Sequence, residues 1–287
     1  MTEDIRKIGV LGCGLMGSGI AEVCARQGFA TVVREVDDAL LERGMSRIRS
    51  SLEKAQSRGK ISEADAAQTL ARMIATTDVA DLAGCDLVIE AVTENKDVKA
   101  QIYRDVENVV GAQTILASNT SSLCITELAA TTSRPDRFVG LHFFNPVPVM
   151  KLVEVIRGLT TTADTFARAH RFCLTLGKEP VAAADRAGFI VNRLLVPYLL
   201  DAIRAHEEGA GSIADIDRAM TLGCGYPMGP FTLLDFVGLD TTYWIANIMF
   251  DEFREARFAP PALLKRMVLA GKLGRKSGSG FYEYPAK

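Results

Sequence analysis

Apolar and polar positions fall into two regimes along these 287 residues. A short apolar run over 5–12 ends on glycine, a helix-periodic stretch follows over 15–27, and a second apolar run covers 29–33. Runs too short for helices and bounded by glycine read as strands, so this is a βαβ opening. Further runs at 86–92, 114–117, 137–143, 152–156 and 179–181 alternate with helical stretches such as 96–110. Near-continuous apolar strands separated by helices predict an α/β fold with a mostly parallel sheet covered on both faces. From Gly188 onward the period is that of helices almost throughout, and its longest piece is GFIVNRLLVPYLLDAIRAHEEG. Two domains are therefore expected, an α/β domain over 1–185 and an all-α domain over 186–287, meeting at a short AAAD segment. Pro197 inside the long helix is expected to kink or break it. The stretches 231–237 and 243–253 are apolar enough to be partly exposed on a monomer, which points to a homodimer formed through the helical domain.

Composition narrows the function classes. An apolar fraction of 48% with 24% charged residues belongs to an ordinary globular chain rather than a disordered one. With 33 basic against 35 acidic residues there is no overall field to gather nucleic acid. The first residues lack the zones of a secretory signal, and no apolar run reaches the ~18 residues of a membrane span. A cytoplasmic protein with no membrane or nucleic-acid partner is expected. The six cysteines include no CxxC pair, so reduced, mostly buried thiols and no metal site are anticipated. Only His142, His170 and His206 are available for imidazole chemistry.

The first chemical motif is GCGLMGSGIA, where Gly12, Gly14 and Gly17 set the G-x-G-x-x-G spacing around Leu15 and Met16 between a strand and a helix. Gly12 permits the tight turn, Gly14 lets a pyrophosphate approach bare backbone, and Gly17 lets the helix pack closely. The helix amino end then offers unpaired N–H donors to the phosphates. Glu35 follows at the end of the second strand-like run, placed to bind both ribose hydroxyls. This context predicts a Rossmann-like dinucleotide site. A carboxylate there repels a 2′-phosphate, which favours NAD over NADP; Arg34 beside it is the one feature that would suit NADP.

The second constellation runs through ASNTSS and GLHFFNPVPVMKLVE between residues 117 and 154. Oxidising an alcohol by hydride transfer needs a base for the hydroxyl proton, and His142 stands at the end of an apolar run, before a loop-forming segment with Asn145, Pro146 and Pro148. The alternative is a core histidine satisfied by backbone. Glu154 is a lone carboxylate within KLVEVI and needs a partner if that run is buried. His142 is one candidate partner, which would make an acid-supported base. An outward-facing Glu154 paired with Lys151 is the other.

The strings GCGLMGSGIA, ASNTSSL, GLHFFNPVPVMKLVEVI, GFIVNRLL, GYPMGPF with LLDFVGLD, and GRKSGSGFYEY, in this order, resemble the 3-hydroxyacyl-CoA dehydrogenase family over almost the whole chain, in the size of its short-chain bacterial 3-hydroxybutyryl-CoA type. The resemblance implies hydride exchange between NAD and C3 of an acyl thioester, with no metal, in fatty-acid or butanoate metabolism. It places the catalytic histidine and its glutamate on His142 and Glu154, and the substrate-contacting serine and asparagine on Ser121 and Asn192. It also implies nicotinamide-side contacts at Glu94, Lys99, Ser121 and Asn145, with Glu35 where members usually carry Asp. On residue chemistry alone, Ser121 serves equally as a helix cap, and Asn192 as a helix–helix hydrogen bond. For coenzyme A, the segment 45–60 offers Arg47, Ser51, Lys54 and Arg58 at spacings of four, three and four, on one helix face. A merely solvated basic face is the plainer reading. Alternatives are a 3-hydroxyadipyl-CoA type of enzyme, a β-hydroxyacid dehydrogenase, which would want a lysine where Asn192 stands, a gulonate-type dehydrogenase, a crystallin-like structural protein, and a non-catalytic NAD-binding module.

Overall fold

The computed structural model describes residues 5–285, which divide into two compact units at the Asp185–Arg186 junction. The first unit is built on eight strands: β1 Lys7–Leu11, β2 Ala30–Arg34, β3 Met73–Thr76, β4 Leu87–Glu90, β5 Ile115–Ser118, β6 Phe138–Phe143, β7 Leu152–Arg157 and β8 Glu179–Ala184. Its helices are α1 Leu15–Arg26, α2 Asp38–Ser57, α3 Glu63–Ala71, α4 Lys96–Glu107, α5 Ile125–Ala129 and α6 Ala163–Thr175. The sheet order is β3-β2-β1-β4-β5-β6-β7-β8, and every pairing is parallel except β6 with β7. The strand order reverses between β1 and β4, the switch point outside which open α/β sheets bind ligands.

The expected alternation is realised because the central strands β1, β4, β5 and β6 are buried along almost their full length. Ile8, Val10, Ile89, Ile115 and Val139 lie with Ile20 and Cys24 of α1 in one core. Side-chain caps define the helix starts: Asp37 accepts from Leu40 N–H on α2, Asn95 from Asp97 and Val98 on α4, and Thr162 from Thr165 on α6. Such a cap contributes about 1 kcal/mol. Two details differ from the sequence pattern. The strand marked by the run at 179–181 extends into the AAAD segment, because Ala182–Ala184 pair with β7 as the end of β8. Asp185 is fixed as well, since its carboxylate accepts the Ile125 and Thr126 N–H groups and caps α5.

The second unit consists of α7 Val191–Glu207, α8 Ile213–Cys224, α9 Pro230–Val237, α10 Leu239–Phe253 and α11 Ala262–Leu269. Helix α7 runs through Pro197 without ending. A proline there removes the bond from its own N–H to the carbonyl four residues back, and the other turns hold the helix together. The apolar stretches anticipated to be partly exposed are mostly spent on this unit's own core: Phe231, Leu234, Ala246 and Met249 are fully buried. What stays exposed among the large apolar residues of this unit is Ile190, Leu194, Leu222, Tyr226, Phe236, Val237 and Leu269, of which only Phe236 and Val237 lie in those stretches. Among the described residues no helix is long and apolar enough to cross a membrane.

Candidate active site

The glycine-rich turn lies at the switch point. Gly12 has φ +86°, open to glycine without strain, and its N–H donates to the Arg34 carbonyl at 2.9 Å. A Cβ on Gly17 would fall 1.8 Å from the Gly12 carbonyl oxygen, so only glycine lets α1 begin this close to the turn. A Cβ on Gly14 would meet nothing within 4 Å, and α1 starts there without a side-chain cap while Leu15 is exposed. Free N–H donors at an open helix start, beside bare backbone, fit a dinucleotide pyrophosphate. Glu35 stands against the same turn: its Oε1 accepts the Cys13 N–H at 2.6 Å and its Oε2 accepts that of Val36 at 3.0 Å. The carboxylate thus holds the turn and the end of β2 together, where a ribose is gripped in such folds.

The histidine and glutamate meet through strand register. In the antiparallel pair β6–β7, His142 is directly opposite Glu154, and Nδ1 lies 2.7 Å from Oε2. Both side chains are buried, at 7% and 1% exposure, so the carboxylate is strongly felt by the ring. With Nδ1–H donated to the carboxylate, proton transfer falls to Nε2. The Phe144 ring packs on the imidazole with centroids 4.4 Å apart. Lys151, the competing partner for Glu154, pairs instead with Glu179 at 3.5 Å in solvent.

Ser121 is held by a buried acid cluster. Glu94 Oε1 accepts the Ser121 N–H at 2.8 Å and the Thr120 hydroxyl at 2.7 Å. Lys99 Nζ lies 3.0 Å from Glu94 Oε2 and 2.5 Å from Glu90 Oε1, and its side chain is 1% exposed. Its donors are therefore directed at two carboxylates inside the protein. Glu90 also accepts from Tyr103 Oη, Ser118 Oγ and the Val92 N–H. Burial and the Glu90 anion together push the Tyr103 hydroxyl well above the usual phenol range, so it stays a donor. Asn119 Oδ1 accepts the Phe143 N–H at 2.9 Å and ties this loop to the strand of His142. Sequence reasoning passed over Glu90, Tyr103 and Asn119. Glu90 carried the signal that singled out Glu154, a lone acid within an apolar run.

The remaining candidates are dispersed. Asn145 is exposed in the turn after β6, and Asn192 is half-buried in the first turn of α7 in the helical unit. The basic stripe on α2 divides. Arg47 points Nη1 toward the Cys13 carbonyl at 3.5 Å. Ser51 turns inward to Glu22 of α1, whose carboxyl burial pushes up while Ser51 and Arg26 pull it down. Lys54 and Arg58 are exposed, Arg58 as the residue that caps the helix end.

A doubly wound sheet with a dinucleotide cradle at its switch point, followed by a helical unit, defines the class of two-unit nicotinamide-dependent dehydrogenases. Within that class the chain belongs to the 3-hydroxyacyl-CoA dehydrogenase family, NAD-dependent oxidoreductases of 3-hydroxyacyl-CoA, with the family's NAD binding domain over residues 7–186 and its C-terminal domain over 188–284. It is 51% identical over 286 residues to a 3-hydroxybutyryl-CoA dehydrogenase of Mycobacterium tuberculosis, covering 99% of this chain and 100% of that one. It is 47% identical to the mitochondrial hydroxyacyl-coenzyme A dehydrogenase of Mus musculus, covering 98% of this chain and 91% of that one. The crystal structure of (S)-3-hydroxybutyryl-CoA dehydrogenase PaaH1 from Ralstonia eutropha superposes with a TM-score of 0.94 at 45% identity, covering 99% of this chain and 100% of that one.

Proposed function

We propose that this protein interconverts (S)-3-hydroxybutyryl-CoA and acetoacetyl-CoA with NAD(H), using His142 as general acid and base. The observation that carries the proposal is the buried His142–Glu154 pair at 2.7 Å. The turn at Gly12, Gly14, Leu15, Met16 and Gly17, together with Glu35, would hold the pyrophosphate and ribose, and Glu94, Lys99, Ser121 and Asn145 the nicotinamide side. Bound NAD supplies the hydride acceptor. Everything else is proton handling by the chain. In the oxidising direction the C3 hydroxyl gives its proton to Nε2 of His142 as its O–H bond breaks and the carbonyl forms. The resulting imidazolium faces the Glu154 anion, which lowers the cost of charging a buried ring. In the reducing direction His142 returns that proton to the developing alkoxide. Ser121 and Asn192 are the proposed donors to the C3 oxygen, and Lys54, Arg58 and Ser51 the proposed contacts to coenzyme A. The exposed Leu194, Leu222, Tyr226, Phe236 and Val237 support a homodimer formed by the helical unit, checked by sedimentation.

The test is NADH oxidation by the purified protein with acetoacetyl-CoA, with free acetoacetate and NADPH as controls. Turnover with the thioester and NADH is expected, and activity confined to free acids would overturn the substrate. His142→Gln is expected to lower kcat by about 10²–10⁴ with NADH binding retained; full activity would remove His142 as the base.

A further inference from the structure

The turn that follows β6 is anchored from beneath by a lysine that the proposed chemistry does not use. Helix α6 ends at Thr175 and is capped by Leu176, Gly177 at φ +69° reverses the chain, and Lys178 leads into β8. The Lys178 side chain runs inward to 7% exposure. Its Nζ donates to the carbonyl oxygens of Val147 at 2.5 Å and Met150 at 2.8 Å. Those carbonyls belong to the turn over 144–151, in which the Val149 and Met150 N–H groups both donate to the Pro146 carbonyl at 2.9 Å. From α1, Gly19 closes the other side: a Cβ there would stand 2.9 Å from Val147 Cβ. The turn is thus gripped between an ammonium and a bare stretch of helix. Phe144, its first residue, packs on the His142 imidazole.

A buried ammonium whose hydrogen bonds go to neutral carbonyls is a costly choice for packing alone, since burial disfavours its charge. Burial does push the Lys178 ammonium down, and Arg26 adds to this, while the Glu22 carboxylate of α1 pulls it up. A charge kept there has a use when two backbone oxygens must be fixed in place, because charge-assisted bonds are shorter and stiffer than neutral ones.

We propose that Lys178 is a positioning residue which, through Val147 and Met150, fixes the turn that seats Phe144 on His142 and carries Asn145. The kinetic half of this inference rests on the function proposed above; the structural half does not. Lys178→Met keeps the stem and removes both donors. In the full-length protein, hydrogen–deuterium exchange of peptides covering 143–151 is expected to accelerate by about tenfold or more, with the β1 and β5 peptides unchanged. With acetoacetyl-CoA and NADH, kcat is expected to fall by about 10–100-fold while KM for the thioester stays within about threefold, the signature of misplacement rather than lost binding. Gly19→Ala attacks the same turn from α1 with Lys178 intact, and is expected to lower kcat likewise. Faster exchange with unchanged kcat would make Lys178 merely structural and overturn the proposal, as would unchanged exchange. If Lys178→Met fails to fold, Gly19→Ala decides: unchanged kcat there overturns it. A wild-type protein inactive on every thioester would sink the proposed function instead, and the exchange data alone would then judge the clamp.

Discussion

Glu154→Gln isolates the contribution of charge at the proposed site. Gln fills the same volume and can still accept from the His142 Nδ1–H, so the orientation of the ring survives while the anion is removed. In the native pair the charges lie about 4 Å apart, worth about 4 kcal/mol at an effective dielectric near 20 once the imidazole is fully protonated. Proton transfer about half complete at the transition state would realise about 2 kcal/mol, or a roughly 30-fold drop in kcat at about 1.4 kcal/mol per decade. Both side chains are buried, at 7% and 1% exposure, so this value needs little discount for screening. The assay is steady-state NADH oxidation with acetoacetyl-CoA, with NADH affinity from fluorescence and the melting temperature from circular dichroism. Affinity within about twofold and a folded protein are required for the comparison. A kcat within about threefold of wild type would refute the claim that the Glu154 anion supports the base.

Glu35→Ala removes the acceptor of the Cys13 and Val36 N–H groups and the carboxylate expected at the ribose. KM for NADH should rise about tenfold or more and discrimination against NADPH should narrow, as read from paired titrations. Gly17→Ala places a methyl 1.8 Å from the Gly12 carbonyl oxygen, so a loss of about 3 kcal/mol or more is expected, visible as a urea midpoint shift at unchanged slope. Burial pushes the Cys13 and Cys173 thiols up to about 12 and Cys85 up to about 11, and Cys24 higher still. These four should resist an aromatic disulfide reagent in the native protein near pH 8 and react only on unfolding, whereas rapid native labelling of any of them would show that its cover opens.

Much of the architecture was legible because the physics that writes it is local. Continuous apolar runs bounded by glycine marked seven strands, and the glycine spacing marked the cradle. β3 escaped because its apolar run, Met73–Ala75, is only three residues long and lies in an edge strand whose residues are half-buried or exposed. β8 runs past its apolar signal because alanine gives no strand signal of its own; pairing to β7 makes Ala182–Ala184 strand. The covalent geometry of Pro197 predicts a kink or a break, and one missing hydrogen bond does not end α7. At the site, the lone acid among apolar neighbours flagged Glu154. Its apposition to His142 depended on β7 running antiparallel in an otherwise parallel sheet, which the apolar runs alone do not declare. The same limit hid Lys178, whose partners are backbone atoms some thirty residues earlier in the chain, invisible to any pattern of side chains.

The cross-strand origin of the His142–Glu154 pair makes the segment from Phe138 to Arg157 a cassette. Alignment of two strands sets the partnership, so the apposition is fixed by register rather than by the turn between them. Parity is the one rule it must obey. An odd insertion inside either strand would bring Val153 or Val155 opposite the histidine and turn the acid to the other face of the sheet. Changes confined to the turn over 144–151 are therefore expected to act through Phe144 and Asn145 and to leave the His142–Glu154 distance itself unchanged.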